Sequence, residues 1–249
     1  MSDSNNNRRF AGRRILVTGA GSGIGLTTAQ MLLAQGANLA LLDRDVTALR
    51  ANPIGLATIV EADISNEAAV NKAVADAAAA LGGLDGLVNC AGIGGAQNPF
   101  GEIELANWQR IFDVNLTGPF LVSQAALPFL KKNAAATIVN VASATGLSPL
   151  GFNVSAYAAS KGGLITLSKA MAFELAPEIR VNVVCPGPVD TPLLPSAIRQ
   201  AATLPKSTYV MGRIAKPEEI ARAILFLMSD ESSYMTGIAM AVDGGRTFH

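Results

Sequence analysis

The chain has a single histidine, and it is the last residue, His249. That excludes a metal site built on several imidazoles and any nucleophile–histidine pair in the body of the chain. Proton chemistry falls instead to Tyr, Lys, Asp or Glu, and no other metal-ligand pattern is present. Cysteine is almost as scarce. Cys90 and Cys185 are too few for a disulfide framework, and free thiols fit a reducing compartment, so a cytoplasmic location is expected. An excess of either charge is also missing, since 19 basic residues balance 19 acidic ones. Nucleic acid and acidic polymers are therefore not expected partners, because both call for net positive charge. Long apolar runs are absent too. Residues 133–160 carry no charge, but Asn140, Gly146, Pro149, Gly151 and Asn153 interrupt them, which reads as a buried strand and a loop rather than a membrane span. Residues 1–10 lack the apolar stretch of a signal peptide and read as a flexible tail.

What remains is ample for a core. Half of the 249 residues are hydrophobic, enough for one domain over residues 11–249. Short runs rich in Val, Ile, Leu and Ala recur at 15–17, 38–42, 58–61, 86–89, 137–142, 180–185 and 238–242. They lack polar alternation, as expected of strands covered on both faces. Helical patterns lie between them at 23–35, 46–50, 67–81, 105–132, 156–175 and 218–229. The alternation predicts an α/β fold, a doubly wound parallel sheet of about seven strands with helices on both faces and right-handed crossovers. Ligands of such sheets bind beyond the carboxyl ends of the strands, at the switch point. Asn115, Gly118 and Pro119 fall inside the fourth helical pattern, so a bend is expected there. Residues 191–211, punctuated by Pro192, Pro195 and Pro205 around a short amphipathic stretch at 196–202, break the alternation and read as a lid.

Three motifs carry chemistry. Thr18-Gly-Ala-Gly-Ser-Gly-Ile-Gly25 follows the first strand and opens a helix. Glycines there let backbone approach a pyrophosphate held at the helix N-terminus. Asp43 ends the second strand, where a carboxylate accepts ribose hydroxyls and repels a 2′-phosphate. Arg44 beside it is able to hold such a phosphate, but no Lys or Arg lies between Gly19 and Gly25, and NAD is the favoured cofactor. Tyr157 and Lys161 stand four apart on a predicted helix, on one face, where the ammonium is expected to lower the phenol pKa. Ser143 ends the strand just before them.

Together these residues resemble the short-chain dehydrogenase/reductase family over nearly the whole chain, in the single-domain form with Thr-Gly-x-x-x-Gly-Ile-Gly and Tyr-x-x-x-Lys motifs. The resemblance implies a Rossmann-type fold and a catalytic set of Asn115, Ser143, Tyr157 and Lys161. Tyr157 would exchange the proton of the alcohol, Ser143 would hydrogen-bond the same oxygen, and Lys161 would hold the nicotinamide ribose. Asn115, at the bend, would hold a water linking Lys161 to solvent. The cofactor would lie on Gly19, Gly21, Ser22, Gly23, Ile24, Gly25, Asp43, Arg44, Asp63 and Ile64. It would also meet Asn89, Ala91 and Gly92, where Cys90 replaces a family asparagine and reads as a small packed residue. The turn after the sixth strand, with Pro186, Gly187, Val189 and Thr191, would seat the carboxamide. Arg213 and the run Lys216-Pro-Glu-Glu are read as structural, with Pro217 opening a helix.

The implied activity is NAD-dependent oxidation or reduction between a secondary alcohol and its ketone. The expected substrate wall is Thr145, Leu147, Phe152, Asn153, Pro188, Leu193, Leu194 and Met211, closed by Ser143 and Tyr157. It is mostly apolar and suggests a small or medium neutral substrate. The alternative is a 3-oxoacyl-carrier-protein reductase using NADPH, disfavoured by Asp43 and by little basic surface around residues 177–180. A non-catalytic NAD sensor is disfavoured by the intact catalytic set. The helical patterns at 105–132 and 156–175 carry more apolar positions than one sheet face needs, so a homotetramer is expected, as is common in the family.

Overall fold

The computed structural model describes residues 8–95, 98–133, 135–200 and 203–247. Seven parallel strands form one sheet in the order β3-β2-β1-β4-β5-β6-β7. They are β1 (Arg14–Thr18), β2 (Asn38–Asp43), β3 (Thr58–Glu61), β4 (Gly86–Asn89), β5 (Ala136–Val141), β6 (Ile179–Pro186) and β7 (Ala239–Val242). Each apolar run of the sequence is a strand. β5 is buried along its whole length, as a central strand with helices above and below must be.

The helices are α1 (Gly23–Ala34), α2 (Thr47–Ala51), α3 (Glu67–Leu81), α4 (Leu105–Phe112), α5 (Gly118–Leu130), α6 (Ala144–Leu147), α7 (Ser155–Leu175), α8 (Ser196–Arg199) and α9 (Pro217–Met228). Two apolar layers hold them to the sheet. Leu32 of α1 and Ile220 and Ile224 of α9 pack with Ile15, Leu39 and Val184 on one face. Val74 of α3, Val122 of α5 and Ala172 of α7 pack with Leu16, Leu87 and Ile138 on the other. Each Leu, Ile or Val among these contributes roughly 1.5–3 kcal/mol when fully buried. α9 starts as its sequence implies. Pro217 occupies the first turn, and Glu219 accepts the Lys216 N–H at 2.8 Å while pairing with Arg213 at 2.8 Å.

Three expectations shift. The pattern at 105–132 is not one helix. It divides at a π-helical turn, Asp113–Thr117, between α4 and α5, because Pro119 cannot donate back to the carbonyl of Asn115. Phe10, expected to belong to a flexible tail, is fully buried, and its N–H donates to the Gln35 carbonyl at 3.0 Å. Within the segment 191–211, the helical stretch narrows to α8; residues 201 and 202 lie outside the described ones, as do residues 1–7 and His249.

The strand order reverses between β1 and β4. The carboxyl ends of β1, β4, β5 and β6 therefore present Thr18, Asn89, Val141 and Pro186 along one edge. The candidate site lies beyond that edge.

Candidate active site

The turn from β1 into α1 is shaped by glycines that admit no substitute. A Cβ on Gly25 would stand 2.1 Å from the Gly19 carbonyl oxygen. Gly19 has φ 66°, and its Cβ would stand 2.6 Å from the Ala91 backbone. Gly21 serves a purpose the motif does not reveal. Its N–H donates to Asp43 Oδ2 at 2.8 Å, and a Cβ there would meet that same oxygen at 2.9 Å. The glycine turn and the end of β2 are thereby locked together. Asp43 also accepts the Asp45 N–H at 3.2 Å.

A cavity of about 430 Å³ opens beyond the strand ends, and a second of about 200 Å³ lies on its β2 side. Ser22, Gly23, Ile24 and Gly25 line the larger one; Asp43, Arg44, Asp63 and Ile64 line the smaller. The first turn of α1 holds no acidic residue, and the Ser22 side chain makes no capping bond. Backbone N–H groups without a side-chain acceptor thus face the cavity with the positive end of the helix dipole behind them, an arrangement that fits the pyrophosphate of a dinucleotide. Thr191 closes over this end, its methyl 3.0 Å from where a Gly23 Cβ would lie. Asp63 is held below the usual carboxylate range by hydrogen bonds from the Ser65 hydroxyl and N–H.

Ser143, Tyr157 and Lys161 line the larger cavity. Ser143 caps α6, its Oγ accepting the Thr145 N–H at 3.1 Å. Lys161, 4% exposed, donates from Nζ to the Val141 carbonyl at 2.9 Å. The electrostatics differ from the expectation. Burial raises the Tyr157 pKa, and the Ser143 side chain and then the charge of Arg246 oppose that rise. Lys161 is itself pulled down to about 8 by burial. Both thiols nearby are pushed up to about 12 by burial and stay neutral, so neither provides the ammonium with a counter-anion. Cys90, expected to be a packed residue, is half-buried: it rests against the core and also lines both cavities.

Asn115 sits in the π turn, fully buried. Its Oδ1 accepts the Ile93 N–H at 2.8 Å, while Nδ2 donates to the Ile93 carbonyl at 2.9 Å and to Ser160 Oγ at 3.2 Å. The side chain expected to hold a water is occupied by these bonds. Asn89 is likewise turned away from the cofactor side. It is buried under the sheet, donating to Ser123 at 3.0 Å and Asn140 at 2.9 Å, because a polar group there needs partners in the core.

The expected wall is drawn together in part. Thr145, Phe152, Asn153, Pro188, Leu193 and Leu194 line the cavity, as do Pro186, Gly187 and Val189 of the turn. Leu147 and Met211 do not; both are solvent-exposed, Met211 by 61%. Ile198 and Tyr209, from the same segment as Leu193, add to the wall. So does Arg246, which no sequence motif marks.

An N-terminal glycine turn, a parallel sheet reversing beside it, and a Ser–Tyr–Lys group on the same cavity define a nucleotide-dependent oxidoreductase of the doubly wound class. Residues 19–247 match the family model described as enoyl-(acyl carrier protein) reductase. The cis-4-hydroxycyclohexanecarboxylate dehydrogenase of Sinomonas cyclohexanicum is 40% identical, over 96% of this chain and 98% of its own. The 2-dehydro-3-deoxy-L-rhamnonate dehydrogenase (NAD(+)) of Sphingomonas sp. (strain SKA58) is 38% identical, over 96% and 97%. The crystal structure of levodione reductase superposes with a TM-score of 0.89 at 34% identity, covering 95% of this chain and 98% of that one. The chain belongs to the short-chain dehydrogenase/reductase family. It is an oxidoreductase acting on CH–OH donors, and its family uses a nicotinamide cofactor. Among the described residues, no helix is long and apolar enough to cross a membrane.

Proposed function

We propose that the protein interconverts a secondary alcohol and its ketone with NAD, and that Tyr157 is the proton-transferring group. The convergence of Ser143, Tyr157 and Lys161 on the cavity that the α1 N-terminus also lines carries this reading. Bound nicotinamide supplies the acceptor or donor of the hydride equivalent. Tyr157 takes the alcohol proton or returns it to the carbonyl oxygen. The Ser143 hydroxyl, fixed by its cap bond to Thr145, donates toward the same oxygen, where charge builds. Lys161 adds positive charge beneath the ribose position, beside Gly92. The Asn115 amide ties the 92–93 loop to α7, and its backbone carbonyl, left without a Pro119 donor, is the group placed to hold a water.

NAD over NADP rests on Asp43, which the Gly21 N–H fixes at the rim of the smaller cavity. The cofactor named for the Sphingomonas relative supports the same choice. The carrier-protein alternative loses ground because Arg180 turns inward, donating to the Ser232 hydroxyl and to the carbonyls of Leu227, Ser229 and Met235. The free thiols accord with a cytoplasmic setting. The test compares kcat/KM for NAD and NADP over a panel of secondary alcohols. Charge repulsion and the lost ribose hydrogen bonds favour NAD by about 10²-fold in the wild type. Asp43→Ala narrows or reverses that ratio, with Arg44 free to meet a 2′-phosphate. A wild type that prefers NADP, or a variant with an unchanged ratio, contradicts the assignment.

A further inference from the structure

Arg246 follows the turn that ends β7, where Gly244 and Gly245 both have positive φ. The nearest carboxylate in sequence, Asp243, is spent on this turn. It accepts the N–H groups of Gly245 and Arg246 at 3.0 and 3.2 Å and the Thr247 hydroxyl at 2.6 Å. The guanidinium swings back beneath the loop between α6 and α7, and Nη2 donates to the Leu150 carbonyl at 2.8 Å. It is 4% exposed, and among the described residues no carboxylate lies within ion-pair distance of it. A guanidinium carries five N–H donors, and a buried one without an anion is costly.

This buried cation lines the same cavity as Ser143 and Tyr157, next to Leu150, Phe152 and Asn153 of the substrate wall. Among the described residues, Lys161 and Arg246 are the two charged side chains that line that cavity, and no acid does. Lys161 is committed to Val141 and to the reacting end. Arg246 lies close enough for its charge to favour the Tyr157 phenolate. A neutral alcohol would offer the guanidinium no opposing charge. A planar or trigonal oxyanion would engage the guanidinium donors in a fork.

We propose that Arg246 anchors an oxyanion of the substrate, so that the preferred substrate is a hydroxy acid or oxo acid, its carboxylate or sulfonate held away from the carbinol. This rests on the oxidoreductase reading for the position of the carbinol, and it replaces the neutral substrate suggested by the wall alone.

The test is calorimetric titration of cyclohexanecarboxylate, cyclohexanesulfonate and the neutral cyclohexanecarboxamide, with and without saturating NAD. The wild type binds one or both anions at least about tenfold more tightly than the amide, and the stronger of the two identifies the oxyanion. Arg246→Met removes that preference while keeping amide affinity, and Arg246→Lys restores part of it. Equal affinity for all three ligands in the wild type overturns the proposal. So does an Arg246→Met variant that loses amide and anion binding alike, which would make the side chain a strut for the Leu150 loop. Failure of the oxidoreductase reading appears separately, as absence of NAD reduction with any alcohol or hydroxy acid, while the titration still decides the anchor.

Discussion

Lys161 is a buried ammonium whose partner among the described residues is a backbone carbonyl, and its pKa of about 8 lies below its ordinary value. Folding therefore favours its neutral form. Below pH 8 both folded and unfolded chains hold the proton, and the folded state bears the full cost of the buried charge. Between about 8 and 10.5 the folded chain releases the proton first, so stability rises with pH through that window. Lys161→Met is accordingly expected to abolish turnover and yet to raise Tm at pH 7, by an amount that shrinks toward pH 10. A Met variant less stable than wild type by the same margin at both pH values would show that the lysine is not strained. The pairing of Tyr157 with Lys161 was legible in the sequence because four residues are one helical turn. Their environment was not, because desolvation depends on what α6, β5 and the 92–93 loop place around them. Arg246 was hidden for the same kind of reason. Its partner Leu150 is 96 residues away in sequence, and no local spacing signals such a contact.

The strands were readable almost to the residue, since runs covered on both faces need no polar alternation. Breaks within helices were harder to place. Pro119 announced a bend in the fourth helical pattern, but not that the chain would absorb it as a π turn with Asn115 at its centre. α6, a single turn capped by Ser143, is too short for any periodicity to reveal. The π turn holds the Asn115 amide against both backbone groups of Ile93, and so joins the helix to the loop beside Lys161. Asn115→Ala removes three hydrogen bonds and leaves the Ile93 groups without partners. It should lower unfolding free energy by about 2–3 kcal/mol, read from urea denaturation. A loss below about 0.5 kcal/mol would mean that the loop holds its place without the amide.

The order of the seven strands brings residues far apart in sequence to one edge, and the glycine turn of β1 meets the Tyr157 helix only through that order. Two helices leave aromatic rings outside the core. Phe120 on α5 is exposed, and Phe173 on α7 is 90% exposed. Such rings suit burial against a second subunit, which supports the expected homotetramer. Light scattering at micromolar concentration should give the mass of four chains, and Phe173→Asp should dissociate them; a monomeric wild type would contradict this. Asn89 shows where family resemblance reaches its limit. Its position matches a cofactor motif, yet the fold directs its side chain into the polar network of Ser123 and Asn140.

Tyr157 is the group that moves the proton, in a cavity that should still bind cofactor without its hydroxyl. The measurement that tests this is NADH binding by fluorescence titration alongside steady-state turnover, in the wild type and Tyr157→Phe. Cofactor affinity should be unchanged and kcat should fall by roughly 10²-fold or more. Near wild-type turnover in the folded variant would contradict it.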